Sequence, residues 1–331
     1  MTKLSMSTKR ALIATVLINA ACPAMGQSVN KGAQNYPNKS IRFISPNAPG
    51  GSTTALARLI GVRLTESWGQ QVIVDNRPGG NGYIGGEALA RATPDGHTLM
   101  LISPTHIITP MLIPAPYDAL RDFAPVATVS STEFLLVVNP ALPAQSLQEL
   151  ITLAKAKPGQ LNYASAGSGS PTNIVSEMFC LMTGVKMQHI PYKGGGPALI
   201  DVIGGQVQLA FQIPISAIPH VQGGRLRALA VSGETRLVAL PQTPTFTEAG
   251  LPGYRITSWY GILTTAGTPA PIVTKLSTEV ARYLATPDLK DRLLVQGMNA
   301  LVSNAAQFGA LMKSDTAKYG QVIKAANIRA D

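Results

Sequence analysis

Twice in this chain a short apolar segment breaks at glycine and runs straight into a helical pattern: IRFISPNAPGGSTTALAR from Ile41 to Arg58, and YASAGSGSPTNIVSEMF from Tyr163 to Phe179. A strand that stops this way and restarts as a helix belongs to an α/β layer fold, with parallel strands and helices on both faces. The junction also has a chemical consequence. The first turn of a helix leaves N–H donors without intrahelical partners, and the macrodipole adds positive potential there, so such helix starts attract anions. Two of them about a hundred residues apart, in a chain too long for one ordinary core, predict one per domain, facing each other as a clamp.

Period and punctuation extend the alternation. The pattern predicts strands over 41–45, 71–75 and 98–103, with helices over 54–68 and 82–92; Leu56, Leu59, Ile60 and Leu64 share one face of the first helix. A second series follows: helix 146–156, opened by Ser146 with Glu149 three residues on as a capping box, strand 161–165, helix 172–183, extended 187–191, helix 197–203 and strand 207–213. Two apolar stretches, 126–138 and 254–264, are long enough at ~3.3 Å per residue to leave one sheet and enter another. They read as paired crossover strands forming a hinge, with central strands of one large sheet as the alternative. Helices over 270–285, 288–296 and 305–326 close the chain.

Lys3, Lys9 and Arg10 precede an apolar run from Ala11 to Ala21, and small residues follow through Gly26. This is the pattern of a signal peptide cleaved near Gly26, the apolar run being too short to span a bilayer. A lipid anchor on Cys22 is the competing reading, but Asn19 stands where a lipobox wants an apolar residue. Processing would remove three of 27 Lys+Arg and none of 17 Asp+Glu, leaving an excess of seven positive charges with no basic block. A diffuse positive field suits small anions and argues against a nucleic-acid track. Cys180 alone would remain, so no internal disulfide is expected.

Ligand sites in open parallel sheets gather at the carboxyl ends of strands. Glycine-rich loops at Gly50 and Gly51 and at Gly167 to Gly169 stand there, with hydroxyls from Ser52, Thr53, Ser168, Ser170 and Thr172. Further glycine loops at 78–86 and 194–196 read equally well as tight turns. The run from Gly80 to Gly85 fits GxGxxG, but Arg77-Pro78 intervene after the strand and no acidic residue ends the next one at Ser103-Pro104, so a dinucleotide site is rejected. His97, His106, His189 and His220 are separated from one another and from Cys180, and neither HExxH, CxxC nor GxSxG occurs. They read as structural or surface histidines, with His106, after a strand end, as the one that could touch a ligand. Donors without an activated nucleophile or a carboxylate pair fit a binder; no cofactor and no metal are expected.

These residues resemble the extracytoplasmic solute receptors of tripartite tricarboxylate transporters, the Bug family. The resemblance is carried by Tyr36-Pro37, Ala48-Pro49-Gly50-Gly51 with Ala57-Arg58, Asn76-Arg77-Pro78-Gly79, Pro94-Asp95-Gly96 and Asp122-Phe123. It continues through Lys157-Pro158-Gly159, Tyr163-Ala164-Ser165, Pro191-Tyr192-Lys193-Gly194, Leu226-Arg227-Ala228, Glu248 to Gly253, Trp259-Tyr260-Gly261 and Ala266 to Pro269, spanning residues 36–328 in order. The resemblance implies a type II-like periplasmic binding fold: two doubly wound α/β lobes joined by two crossover strands. Lobe 1 would be 36–130 plus 255–303 and lobe 2 131–254, with the helix of 304–331 packing across or onto them. It implies a periplasmic monomer that holds a small organic acid, whether di- or tricarboxylate, aromatic acid or amino acid. Delivery would be to a membrane permease of one large and one small subunit.

The ligand residues implied are Asn47, Ala48, Gly50, Gly51, Ser52, Thr53 and Thr54 from the first loop, and Ser165, Ala166, Gly167, Ser168 and Asn173 from the second. Ser103 and Gln212, at strand ends, complete them. Thr54, Asn173 and Gln212 depart from the family's usual Asp, His and Asp, and are expected at the mouth of the cleft, where neutral groups would repel an anion less; Thr54 would otherwise serve only as a cap. The rival classes are an exported esterase using Ser52 or Ser168, and a co-receptor that reports ligand to a signalling protein.

Overall fold

The computed structural model describes residues 34–47, 52–79, 82–192, 194–295 and 297–329, with the side chain of Ser52 outside the description. The leader reading at 1–26, with Cys22, therefore lies outside the described residues, as do Ala48, Gly50 and Gly51.

Two sheets carry the chain. The first is built from β1 (Ile41–Ser45), β2 (Val72–Asn76), β3 (Thr98–Ile102), β4 (Phe123–Glu133), β10 (Thr257–Thr265) and β11 (Met298–Ala300), in the order β11-β4-β10-β3-β1-β2. The second contains β5 (Leu135–Val138), β6 (Asn162–Ser165), β7 (Gln188–Pro191), β8 (Leu209–Gln212) and β9 (Arg227–Val231), ordered β7-β6-β8-β5-β9. Helices alternate with them: α1 (Ser52–Trp68), α2 (Tyr83–Ala90), α3 (Thr105–Leu112), α4 (Leu147–Ala156), α5 (Pro171–Thr183), α6 (Gly195–Ile203) and α7 (Pro214–Gln222). The chain ends on α8 (Ala270–Leu284), α9 (Pro287–Val295) and α10 (Ala305–Ala325).

Parallel pairing holds where βαβ units exist: β1 with β2 and β3, and β6 with β7 and β8. The expectation of wholly parallel sheets is corrected by β10, which runs antiparallel to β3 and β4, and by β5, antiparallel to β8 and β9. The cause is topological, because these strands enter from the other sheet and no helix crossover sets their direction.

The passage from β4 to β5 is a single residue, Phe134. Its N–H donates to Ser232 Oγ at 2.8 Å, and Ser232 Oγ donates to the carbonyl of Ile256 at 2.5 Å, on the segment that leads into β10. The outgoing and returning segments are thus stitched by one buried hydroxyl, which is the arrangement expected of the runs 126–138 and 254–264.

Both faces of each sheet are covered. Leu56, Ile60 and Leu64 of α1 and Leu276, Val280 and Leu284 of α8 pack on Phe43, Leu99 and Ile262 of the first sheet; Phe308 and Met312 of α10 pack on the opposite face with Ile44, Ile102 and Trp259. In β5, Leu136 and Val138 join one core of the second sheet while Leu135 and Val137 join the other, as the two-residue period requires. Each such side chain contributes roughly 1.5–3 kcal/mol by leaving water. Helix α10 starts at a capping box of Asn304 and Gln307 and reaches both halves, packing on β4, α3 and α5. Among the described residues no helix is long and apolar enough to cross a membrane.

Candidate functional site

The first loop leaves β1 at Ser45, which is fully buried. Its hydroxyl lies 3.1 Å from Thr53 Oγ1 and 2.9 Å from Thr54 Oγ1, on the first turn of α1. Asn47 Nδ2 donates to Thr53 Oγ1 at 3.0 Å. Asn76, at the end of the neighbouring β2, donates through Nδ2 to Thr54 Oγ1 and to the Asn47 carbonyl, both at 2.7 Å. Side chains of Ser45, Asn47, Thr53, Thr54 and Asn76 therefore close into one polar cluster at the carboxyl end of the strands. Asn76 is absent from the sequence-derived set; its signal was its place at the end of the strand beside β1.

The second loop leaves β6 at Ser165 and enters α5, capped by Ser170, whose Oγ accepts from the Asn173 N–H at 3.3 Å, with Pro171 at the first turn. The helix-start donors, expected to be left for an anion, are already paired here. Ala166 N–H donates to Thr172 Oγ1 at 2.9 Å, Gly167 N–H to Ser165 Oγ at 3.1 Å, Gly169 N–H to Asn173 Oδ1 at 2.9 Å and Ser170 N–H to the Gly167 carbonyl at 3.1 Å. Short Ser, Thr and Asn side chains lie within reach of these donors, and a folded loop pairs its N–H groups rather than leave them bare. The loop tip at Ala166, Gly167 and Ser168 is half-buried, whereas Gly169 is buried. Gly167 and Gly169 hold φ of 123° and 72°, a region that favours glycine.

Thr54, Asn173 and Gln212 do not stand at an open mouth: they are 1%, 2% and 2% exposed. Thr54 binds Ser45 and Asn76, Asn173 binds Gly169 and Tyr163, and Gln212, at the end of β8, reaches the Gly195 carbonyl at 3.4 Å. Each is buried polar surface satisfied within the protein. Ser103 ends β3 half-buried, its Oγ donating to Thr105 Oγ1 at 3.2 Å. His106 is buried against Tyr117 and Phe123, with Nε2 at 3.2 Å from the Ala119 carbonyl, and burial pushes its pKa down to about 4. It is a neutral packing residue.

His189, read as isolated, is not. Its Nε2 lies 2.6 Å from Ser165 Oγ, and its ring stacks on Tyr163 at 4.9 Å. The parallel register of β6 and β7 sets Tyr163 opposite His189 and Ser165 on the same face two residues on. That pairing is a property of strand order, which local spacing does not contain. Among the described residues no group of three or more His, Cys, Asp or Glu is placed to hold a metal. Cys180 is half-buried with its pKa pushed up to about 12 by burial, so its thiol is unreactive.

Residues 56–328 match the family model described as the tripartite tricarboxylate transporter family receptor. The chain is 33% identical over 316 residues to protein BugT of Bordetella pertussis, covering 95% of this chain and 96% of that one. Among solved structures it is similar to R. palustris Rpa4515 with adipate, at 34% identity and a TM-score of 0.81, over 89% of this chain and all of the other. It is also similar to MatC from Rhodopseudomonas palustris with bound malate, at 31% identity and a TM-score of 0.75, over 87% of this chain and all of that one. With two strand-end polar loops on two sheets and a match of this extent, the chain belongs to the tripartite tricarboxylate transporter receptor family.

Proposed function

We propose that this protein is a periplasmic receptor that captures a small carboxylate-bearing metabolite between two lobes and delivers it to a membrane permease of one large and one small subunit. The lobes correspond to 36–130 with 255–303, and to 131–254. The observation that carries the reading is the pair of polar loops at the carboxyl ends of β1 and β6, one on each sheet, with a two-segment passage between the sheets. That Rpa4515 and MatC were solved with adipate and malate supports a dicarboxylate as the ligand class.

In this reading one carboxylate meets Asn47, Ser52, Thr53 and the Ala48 to Gly51 segment, and the other side of the ligand meets Ser165 to Ser168, with Ser103 beside it. The oxygens of Thr172 and Ser165 that now accept from Ala166 and Gly167 act as placeholders, which ligand oxygens replace at the same donors. A charge-assisted bond contributes roughly 1.5–3 kcal/mol against about 1 for the neutral bond it replaces, so each exchange favours the bound ligand by roughly 0.5–2 kcal/mol. Thr54, Asn173 and Gln212 support the loops from behind. No catalysis is proposed: the histidine beside the second loop, His189, meets the buried Ser165 rather than Ser168, the serine an esterase reading would use there, and the function is capture and release.

Calorimetric titration of ligand-stripped protein with adipate, malate and other four- to six-carbon diacids tests the reading. Saturable binding to at least one supports it. Heats indistinguishable from dilution for every organic acid would overturn it.

A further inference from the structure

We infer that Tyr163 and Glu177 are positioning residues for the second loop, and that they lock its Gly169 end so that the ligand is met by the Ala166–Gly167 end. The inference rests on the function proposed above. Asn173 and Glu177 stand four residues apart on α5, so both face the buried Tyr163 of β6. Asn173 Nδ2 donates to Tyr163 Oη at 2.8 Å, and the Tyr163 hydroxyl donates to Glu177 Oε1.

A carboxylate can only accept, and a phenol has one proton. Glu177 therefore fixes the direction of the Tyr163 O–H, leaving Oη to accept from Asn173. That in turn fixes the Asn173 amide with Nδ2 toward the ring and Oδ1 toward the Gly169 N–H, 2.9 Å away. If the phenol instead donated to Asn173 Oδ1, the flipped amide would set an NH2 against the Gly169 N–H, donor against donor, and this half of the loop would open. At the other end, the hydroxyls of Ser165 and Thr172 hold the Gly167 and Ala166 amides. Ser165 Oγ also meets His189 Nε2 and Thr172 Oγ1 also meets Ser170 Oγ, so each keeps a partner when a ligand oxygen takes its amide; the relay-held amide has no such exchange. Exposure follows the same division, with Ala166 and Gly167 half-buried and Gly169 buried.

The test is amide hydrogen exchange by NMR on ligand-free Tyr163→Phe, Glu177→Leu and Glu177→Gln, with calorimetry beside it. Phe keeps the stack on His189 and loses only the hydroxyl; Leu removes the acceptor; Gln restores one through its carbonyl. In the Phe and Leu variants Gly169 should exchange about tenfold faster than in wild type, with Phe211 of β8 unchanged, and the affinity for whichever diacid binds wild type should fall about tenfold. Glu177→Gln should be close to wild type in both. Unchanged Gly169 exchange in Tyr163→Phe, faster exchange with undiminished affinity, or Glu177→Gln behaving as Glu177→Leu would overturn the inference. The Leu variant decides if the Phe variant does not fold. Failure of wild type to bind any organic acid would overturn the proposed function instead, and Gly169 exchange, which needs no ligand, would then judge the relay alone.

Discussion

Gly169, in the loop before α5, faces Leu112 at the end of α3 so closely that a Cβ on the glycine would lie 1.9 Å from Leu112 Cδ1. The contact joins the two sheet systems beside the proposed ligand loop.

Gly169→Ala meets two penalties, the φ of 72° and the Leu112 methyl. A loss of about 1–3 kcal/mol is expected. Combining it with Leu112→Ala relieves the contact and leaves the backbone cost, so the double variant loses less than the sum of the singles. Urea unfolding of the four proteins checks this; strict additivity would show that the two residues do not press on each other.

Thr54 accepts from Asn76 Nδ2 at 2.7 Å in a site that is 1% exposed. Thr54→Val keeps the shape and removes the acceptor of one of the two Asn76 Nδ2 N–H groups, the other staying on the Asn47 carbonyl, at a cost of about 1–3 kcal/mol. Thermal unfolding checks the loss, and a variant as stable as wild type would mean that the cluster of Ser45, Thr54 and Asn76 carries no weight.

Glu133, the last residue of β4, accepts from Asn299 through Oε1 at 3.1 Å, while its buried Oε2 finds no hydrogen-bond partner among the described residues. Burial raises its pKa above the ordinary 4.5, against smaller lowering effects from the backbone and Asn299. The native state then holds the proton more tightly than the unfolded chain, so this contribution to stability is complete below the ordinary glutamate value and is lost as pH rises through the folded one. Glu133→Gln should flatten the melting profile above pH 4.5 and be at least as stable as wild type near neutrality. Melting curves from about pH 4 to 8 measure it; identical slopes in the two proteins would contradict it.

Much of the architecture is legible in the amino-acid sequence because buried strands announce themselves. The run 126–138 is long enough to leave one sheet and enter another, and it takes that course rather than the alternative of a central strand in one large sheet: β4 ends at Glu133 in the first sheet and β5 starts at Leu135 in the second. Ser146 caps α4, accepting from the Glu149 N–H, but the expected box closes one residue early, the Glu149 carboxylate accepting from the Gln145 N–H instead of that of Ser146. Less is visible where local propensity is weak. Helix α3 carries Pro110 and β-branched residues, α7 contains Pro219, and β11 spans three residues; tertiary packing decides these, not period. In the site, glycines and hydroxyls locate the loops, but sequence does not say which donors are already engaged. Asn173 turns inward because Tyr163 offers an acceptor from β6, and His189 meets Ser165 because β7 lies beside β6. Both depend on which strand neighbours which, and no spacing within either segment encodes it.

The central claim is that one ligand is gripped from two sheets. The most direct measurement is a crystal structure of the protein with the diacid that binds it most tightly. The account predicts ligand oxygens within about 3.5 Å of donors from both the β1–α1 and the β6–α5 loops, including the Ala166 or Gly167 amide. A ligand touching only one of these loops, or bound elsewhere on the molecule, would contradict it.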